Sequence, residues 1–248
     1  MPTVQTIDDV LEALDDILVD ARRDKSRNGY FAALYRKVTV RVKQGIEAGE
    51  YDDGPRMAAL DVHFANRYLE AVDAYRRQEV ACESWDLAFK ASHAWSPLVV
   101  QHLLLAMNAH INLDLGIAAA QVAPGSELAG LHADFIRIND LLGSLVADVK
   151  GALAKIWRPL ALLDRISGNI EDVGVNFSMT KARDAAWDLA TKLAPQREDE
   201  RAVSIARRDR WAVDFGGHLW RPPIGRVALL LIRLGERRSI DENINTLM

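Results

Sequence analysis

The stretch "LLLAMNAHINLDLG", Leu103 to Gly116, decides the fold. Its apolar residues read as one buried helix, within a strongly apolar run from about Leu98 to Ala120 that is about long enough to span a bilayer. Gln101, His102, Asn108, His110, Asn112 and Asp114 interrupt that run. So many hydrogen-bonding groups are costly in hydrocarbon, which makes the run the buried centre of a soluble protein rather than a membrane span. Ser96-Pro97 opens this central helix and "APGS", Ala123 to Ser126, closes it.

Helical periodicity continues on both sides of it. Ile7, Val10, Leu11, Leu14, Ile17 and Leu18 recur at i, i+3, i+4, i+7 spacing after Thr6, a residue suited to an N-cap. Phe31, Leu34, Tyr35, Val38, Val42 and Ile46 form a second stripe, a third helix runs from about Pro55 to Arg77, and a short one carries Trp85 and Phe89. Beyond the centre, Ser126 starts a long stripe to Ile156, "SGNIEDVGVN" reads as a loop, and helices follow near 178–194, 198–215 and 223–238. "GGHLWRPP", Gly216 to Pro223, reads as a turn. No strand pattern, repeat or linker appears. The expected fold is all-α, a single-domain multi-helix bundle over residues 1–248 around the buried helix at about 98–120, with residues 1–5 and 239–248 as frayed tails.

Composition narrows the function classes. The chain has 248 residues and is 49% hydrophobic, enough for one large core. Its 31 basic and 35 acidic side chains give a net charge of −4, so no electrostatic footprint for nucleic acid is present. The single cysteine, Cys82, excludes an internal disulfide framework, and the acidic N-terminus does not read as a secretory signal. A cytoplasmic protein acting on a small-molecule ligand, with no nucleic-acid partner and no membrane span, is the expectation, and oligomerisation is left open. Walker loops, dinucleotide fingerprints, GxSxG elbows and paired CxxC motifs are all missing.

Projecting each helix at about 100° per residue identifies polar side chains inside apolar faces. Asp61 lies in the middle of the stripe formed by Met57, Phe64, Ala65 and Tyr68, whereas His63, Arg67 and Glu70 point the other way. His132 and Asn139 fall on the stripe of the long helix, Arg183 on that of Ala186 and Ala190, and Asp209 among Ala202, Ile205 and Ala212. Burial without partners is costly, so each needs a partner, water or a ligand.

The central helix has two polar rows. Gln101, Asn108 and Asn112 share one, and His110 with Asp114 lies roughly opposite, beside Leu103 and Met107. His110 and Asp114 are i, i+4 neighbours, able to bond each other or to converge on a third atom. Three uses fit: a structural pair, a catalytic pair without metal, or two ligands of a divalent metal such as Zn or Fe. Further ligands would come from Asp61, His102, His132 or Asp209. As a catalytic site the set is His110 as base or ligand, Asp114 as orienter or co-ligand, Asp61 as acid and Arg183 as anion clamp, with Asn108, Asn112, Gln101 and His132 contacting substrate.

"FAALYRKVT", "LDVHFANRYLEA", "LLLAMNAHINLDLGIA" and "ARDAAWDLA" resemble the landmarks of a bacterial family designated domain of unknown function 5995, over roughly residues 25–195. That resemblance implies an all-helical domain and assigns no role. The spacing of His110 and Asp114 is also similar to a zinc-binding pair in the zinc phospholipase C and S1/P1 nuclease fold. The downstream His-x-x-x-Glu pair and the additional histidines of that fold are absent here. Two functions follow from the residues: a small-molecule enzyme with a buried His/Asp site, working by metal-assisted hydrolysis or oxygenation or by an acid/base rearrangement, or a noncatalytic helical binding or scaffold protein whose polar network fixes its packing.

Overall fold

The computed structural model describes residues 3–138, 151, 156, 179–221, 233–236 and 239–248, and every one in a regular element is helical. In chain order the helices are α1 (Ile7–Arg23), α2 (Asn28–Glu47), α3 (Gly54–Arg76), α4 (Glu83–His93), α5 (Val99–Ala109), a π-helical turn (His110–Asp114), α6 (Leu115–Val122), a helical stretch over 128–138, α7 (Met179–Leu193), α8 (Glu198–Trp220) and α9 (Ile240–Leu247). The expected loop at "SGNIEDVGVN", Asn139 and most of the helix expected at 223–238 lie outside the described residues.

Local chemistry sets the helix starts. Thr6 Oγ1 accepts from Asp9 N at 3.1 Å and Asp9 Oδ2 accepts from Thr6 N at 2.9 Å, a reciprocal cap of α1. Asp53 caps α3 by accepting from Arg56 N at 2.9 Å, with Pro55 in the first turn. α4 begins after Cys82, which supplies no cap, and its first N–H groups are satisfied from a distance instead. Asp209 on α8 accepts from Glu83 N at 2.8 Å and Ser84 N at 3.0 Å.

The α5–π–α6 segment is the axis of the fold, packed against α2, α3, α4, α7 and α8. It is long and apolar enough to cross a membrane, and 89% of its most apolar 18-residue stretch is buried inside the protein. Two apolar clusters meet along it. The first joins α1, α2, α3 and α4 to α5, and the second joins the start of α3, α6, α7 and Phe135. Gly116 lets α6 approach α7 closely, since a Cβ there would stand 2.6 Å from the Ala186 carbonyl oxygen.

Two boundaries differ from the sequence reading. Residues 239–248 do not fray: Ser239 caps α9, and Ile244 and Leu247 are buried against α2. The tail's short apolar spacing hides one docked amphipathic helix. "GGHLW" is no turn either, because α8 runs through Gly216 and Gly217 to Trp220. Gly216 is needed there for packing: a Cβ would meet Leu87 at 2.7 Å and Asn108 at 3.2 Å.

Candidate functional site

The break in the central helix falls at the residues that carry its chemistry. At His110–Asp114 the backbone widens to π geometry, Leu115 N donating to His110 O, five residues back. Such turns cost regular hydrogen bonding and gather at functional sites. A carbonyl displaced by the widening needs another partner, and Arg208 on α8 provides one. Its Nε donates to Asn112 O at 2.7 Å while its guanidinium lies 4.3 Å over the Trp211 ring.

The two polar rows separate as their projection requires. On the α8 side, Gln101 Oε1 accepts from Leu98 N at 2.9 Å and Gln101 Nε2 donates to Leu219 O at 2.9 Å. Asn108 Nδ2 donates to Ala212 O at 2.7 Å, and Asn112 Nδ2 to Asn108 Oδ1 at 3.0 Å. Gln101, Asn108 and Asn112 therefore tie the central helix to itself and to α8. They were candidate substrate contacts in sequence; their amides are already engaged here.

On the opposite side His110 and Asp114 form the centre of a polar cluster walled by aromatic rings. Asp114 is fully buried and accepts from Trp85 Nε1 at 2.8 Å, from His110 Nδ1 at 3.3 Å and from Arg67 Nε at 3.4 Å. The His110 ring stacks on Phe64, centroids 3.6 Å apart and planes 10° apart, with Tyr35 edge-on at 4.6 Å. Phe31, Tyr68 and Trp85 complete the enclosure. Burial lowers the pKa of His110, and the Asp114 carboxylate opposes that without reversing it, so the imidazole is neutral. With Nδ1–H directed at Asp114, Nε2 carries the lone pair, and it is buried without a partner.

Two more buried oxygens lack partners: Tyr35 Oη, on the ring edge-on to His110, and Asp61 Oδ2, on α3 one turn before Phe64. Burial raises the Tyr35 pKa well above the usual phenol value, and the negative charges of Asp61 and Asp114 raise it further. Burial alone raises Asp61 to about 7. A neutral imidazole base and a phenol are thus adjacent, and a carboxyl group that holds its proton to near neutrality acts on the phenol.

The other candidates lie elsewhere. Arg183 is buried but faces none of Asp61, Asp114 or Asp209: Nη2 donates to the Phe135 carbonyl and the guanidinium lies 4.9 Å over the Phe135 ring. It holds the 128–138 stretch against α7. His132 is exposed rather than buried, its ring 4.5 Å from that of Trp187, because the covered face centres on Leu128, Leu131 and Phe135 and His132 lies at its edge. Asp209 caps α4, and His102 lines a cavity away from the cluster. Among the described residues no three His, Cys, Asp or Glu side chains are grouped to hold a metal ion. His110 Nδ1 and both Asp114 oxygens bond within the cluster, which leaves Nε2 as the open nitrogen of the pair.

Sequence reasoning missed Trp85, Arg67, Tyr35 and Arg208. A buried Trp must satisfy its N–H, which was the available signal for Trp85. Arg67 does start on the surface side of α3 with His63 and Glu70; its long stem reaches back to Asp114, leaving the side chain 28% exposed.

No curated protein sequence and no solved structure matches the chain. The model of one family matches residues 7–222, taking in every landmark of the polar cluster and extending beyond the stretch the motifs alone marked, and the chain accordingly belongs to the family of unknown function DUF5995.

Proposed function

We propose that this protein is a cytoplasmic small-molecule enzyme whose acid/base site is the aromatic-walled cluster around His110. One observation carries the reading: His110 Nε2 and Tyr35 Oη are buried polar atoms without partners on adjacent rings at the π turn, and Asp61 Oδ2, whose charge reaches Tyr35, is a third. Each unpaired group costs about 1–3 kcal/mol in a dry core, a cost that a folding scaffold has no reason to accumulate in one place. In this reading His110 Nε2 takes a proton from the substrate, Asp114 holds the ring and stabilises the imidazolium, and Asp61 or Tyr35 returns a proton to the product. Trp85 and Arg67 orient Asp114. Arg208 fixes the π turn and acts as a positioning residue.

A second reading, a noncatalytic scaffold, is favoured by the row Gln101, Asn108 and Asn112, whose amides are all engaged in helix packing. Tyr35→Phe separates the two. If the hydroxyl waits for a ligand, its removal leaves the free protein as stable or about 1 kcal/mol more stable and abolishes the thermal shift produced by small-molecule ligands from a metabolite library. A loss of 1 kcal/mol or more in the free protein, with no ligand depending on the hydroxyl, refutes the enzyme reading.

A further inference from the structure

A cavity lies on the far side of the aromatic wall from His110. Its volume is about 20 Å³, space for roughly one water-sized occupant. Phe31, Tyr68, Trp85 and Phe89 form its apolar floor, and Arg27, Asn28, Ser92 and His102 bring polar groups to it. Trp85 is common to both sites, lining this cavity while its Nε1 donates to Asp114.

Three features give this cavity a positive character. His102 is 7% exposed and neither ring nitrogen has a hydrogen-bond partner; the nearby Pro97 backbone favours its proton but misses hydrogen-bond geometry. Arg27 Nε is also buried without a partner, Nη1 donates to Ser92 O at 3.1 Å, and no carboxylate pairs with Arg27 among the described residues. Arg27 and Asn28 begin the 20-residue helix α2, which has no side-chain cap and no acidic residue in its first turn. Ser26 and the Arg27 carbonyl take the first N–H groups at 3.1–3.3 Å, so the positive end of the dipole is met by no negative charge. The electrostatics agree. Burial first, and then the positive charges of Arg27 and Arg233, hold His102 down to about 3, whereas Arg233 has its own carboxylate in Glu236 at 3.1 Å.

We infer that this cavity is a binding site for a small monovalent anion, halide to formate in size, held between Arg27 Nε–H and a neutral His102 N–H at the start of α2. The aromatic floor excludes a larger hydrated or divalent anion. The inference is independent of any chemistry at His110.

The test compares unfolding of the whole protein in sodium chloride, bromide, formate and gluconate at equal ionic strength. Chloride, bromide or formate should raise Tm over gluconate by about 2–4 °C with saturation, as for a ligand well above its Kd. The effect should vanish in Arg27→Met and persist in Arg36→Met, a control at a surface ion pair with Asp15. A response to formate alone identifies the carboxylate group of an organic ligand, and a response to the halides identifies a free ion. Crystals grown in bromide provide a measurement that needs no variant: an anomalous peak is expected between Arg27 and His102. A water molecule there in bromide, or an equal salt response of the parent and Arg27→Met, overturns the inference.

Discussion

Asp114→Asn is the most informative single change, because it keeps the shape of a side chain on which three donors converge. The parent carboxylate accepts from Trp85 Nε1 at 2.8 Å, His110 Nδ1 at 3.3 Å and Arg67 Nε at 3.4 Å. Trp85 and His110 donate to the same oxygen, Oδ2, and Arg67 to Oδ1, so asparagine can keep its one acceptor oxygen under the first two and turn its NH2 group toward Arg67. Arg67 is 28% exposed and lies 3.6 Å from Glu70, so it can turn outward at small cost. His110 is enclosed and stays on the retained oxygen. Its bond, like that of Trp85, becomes neutral instead of charge-assisted. The loss is the Arg67 contact together with the charge assistance of the Trp85 and His110 bonds, about 2–3 kcal/mol. Urea unfolding should show a midpoint lowered by about 1 M with an unchanged slope, and Tm should fall by about 5–10 °C. A loss below about 0.5 kcal/mol would show that Asp114 is not the acceptor at the centre of the cluster, and the site built on it would fall with it.

Two other outcomes follow from burial. Asp61 holds its proton up to about pH 7 when folded, against 3.8 as its ordinary value, so the folded state binds the extra proton between those limits and Asp61 lowers stability as pH rises through them. Relative to the parent, Asp61→Asn should therefore gain about 1.4 kcal/mol per pH unit from about pH 4.5 to 6.5, and a flat difference curve would show that Asp61 titrates normally. His110→Ala removes a ring packed by Phe64, Tyr35 and Phe31 and should cost about 3 kcal/mol or more, while His63→Ala, on an exposed position, should stay within about 0.5 kcal/mol in the same unfolding assay. Equal costs would contradict the burial of one and the exposure of the other.

Periodicity and caps are local properties, and the sequence by itself determined what depends on them. Thr6 at the start of α1, the all-helical class, the central apolar run, the burial of Asp61 and the separation of Gln101, Asn108 and Asn112 from His110 and Asp114 can all be read at about 100° per residue, because a stripe is a property of one helix. Only the tertiary structure decided what those side chains meet. Arg183 and Asp61 both project inward, yet Arg183 ends on the Phe135 carbonyl, and Asp209 turns out to cap α4 across a gap of 126 residues. The π turn is invisible to a 3.6-residue period, since it is stabilised by Arg208 from another helix and by the enclosure of His110. Arg67 was misread because projection follows the Cα–Cβ direction, and a long side chain can return across its own helix to a buried charge. Helix faces are set within about four residues of chain; the convergence of Trp85, Arg67 and Tyr35 on the His110–Asp114 pair is set by how α2, α3 and α4 dock on the central helix, which no local pattern encodes.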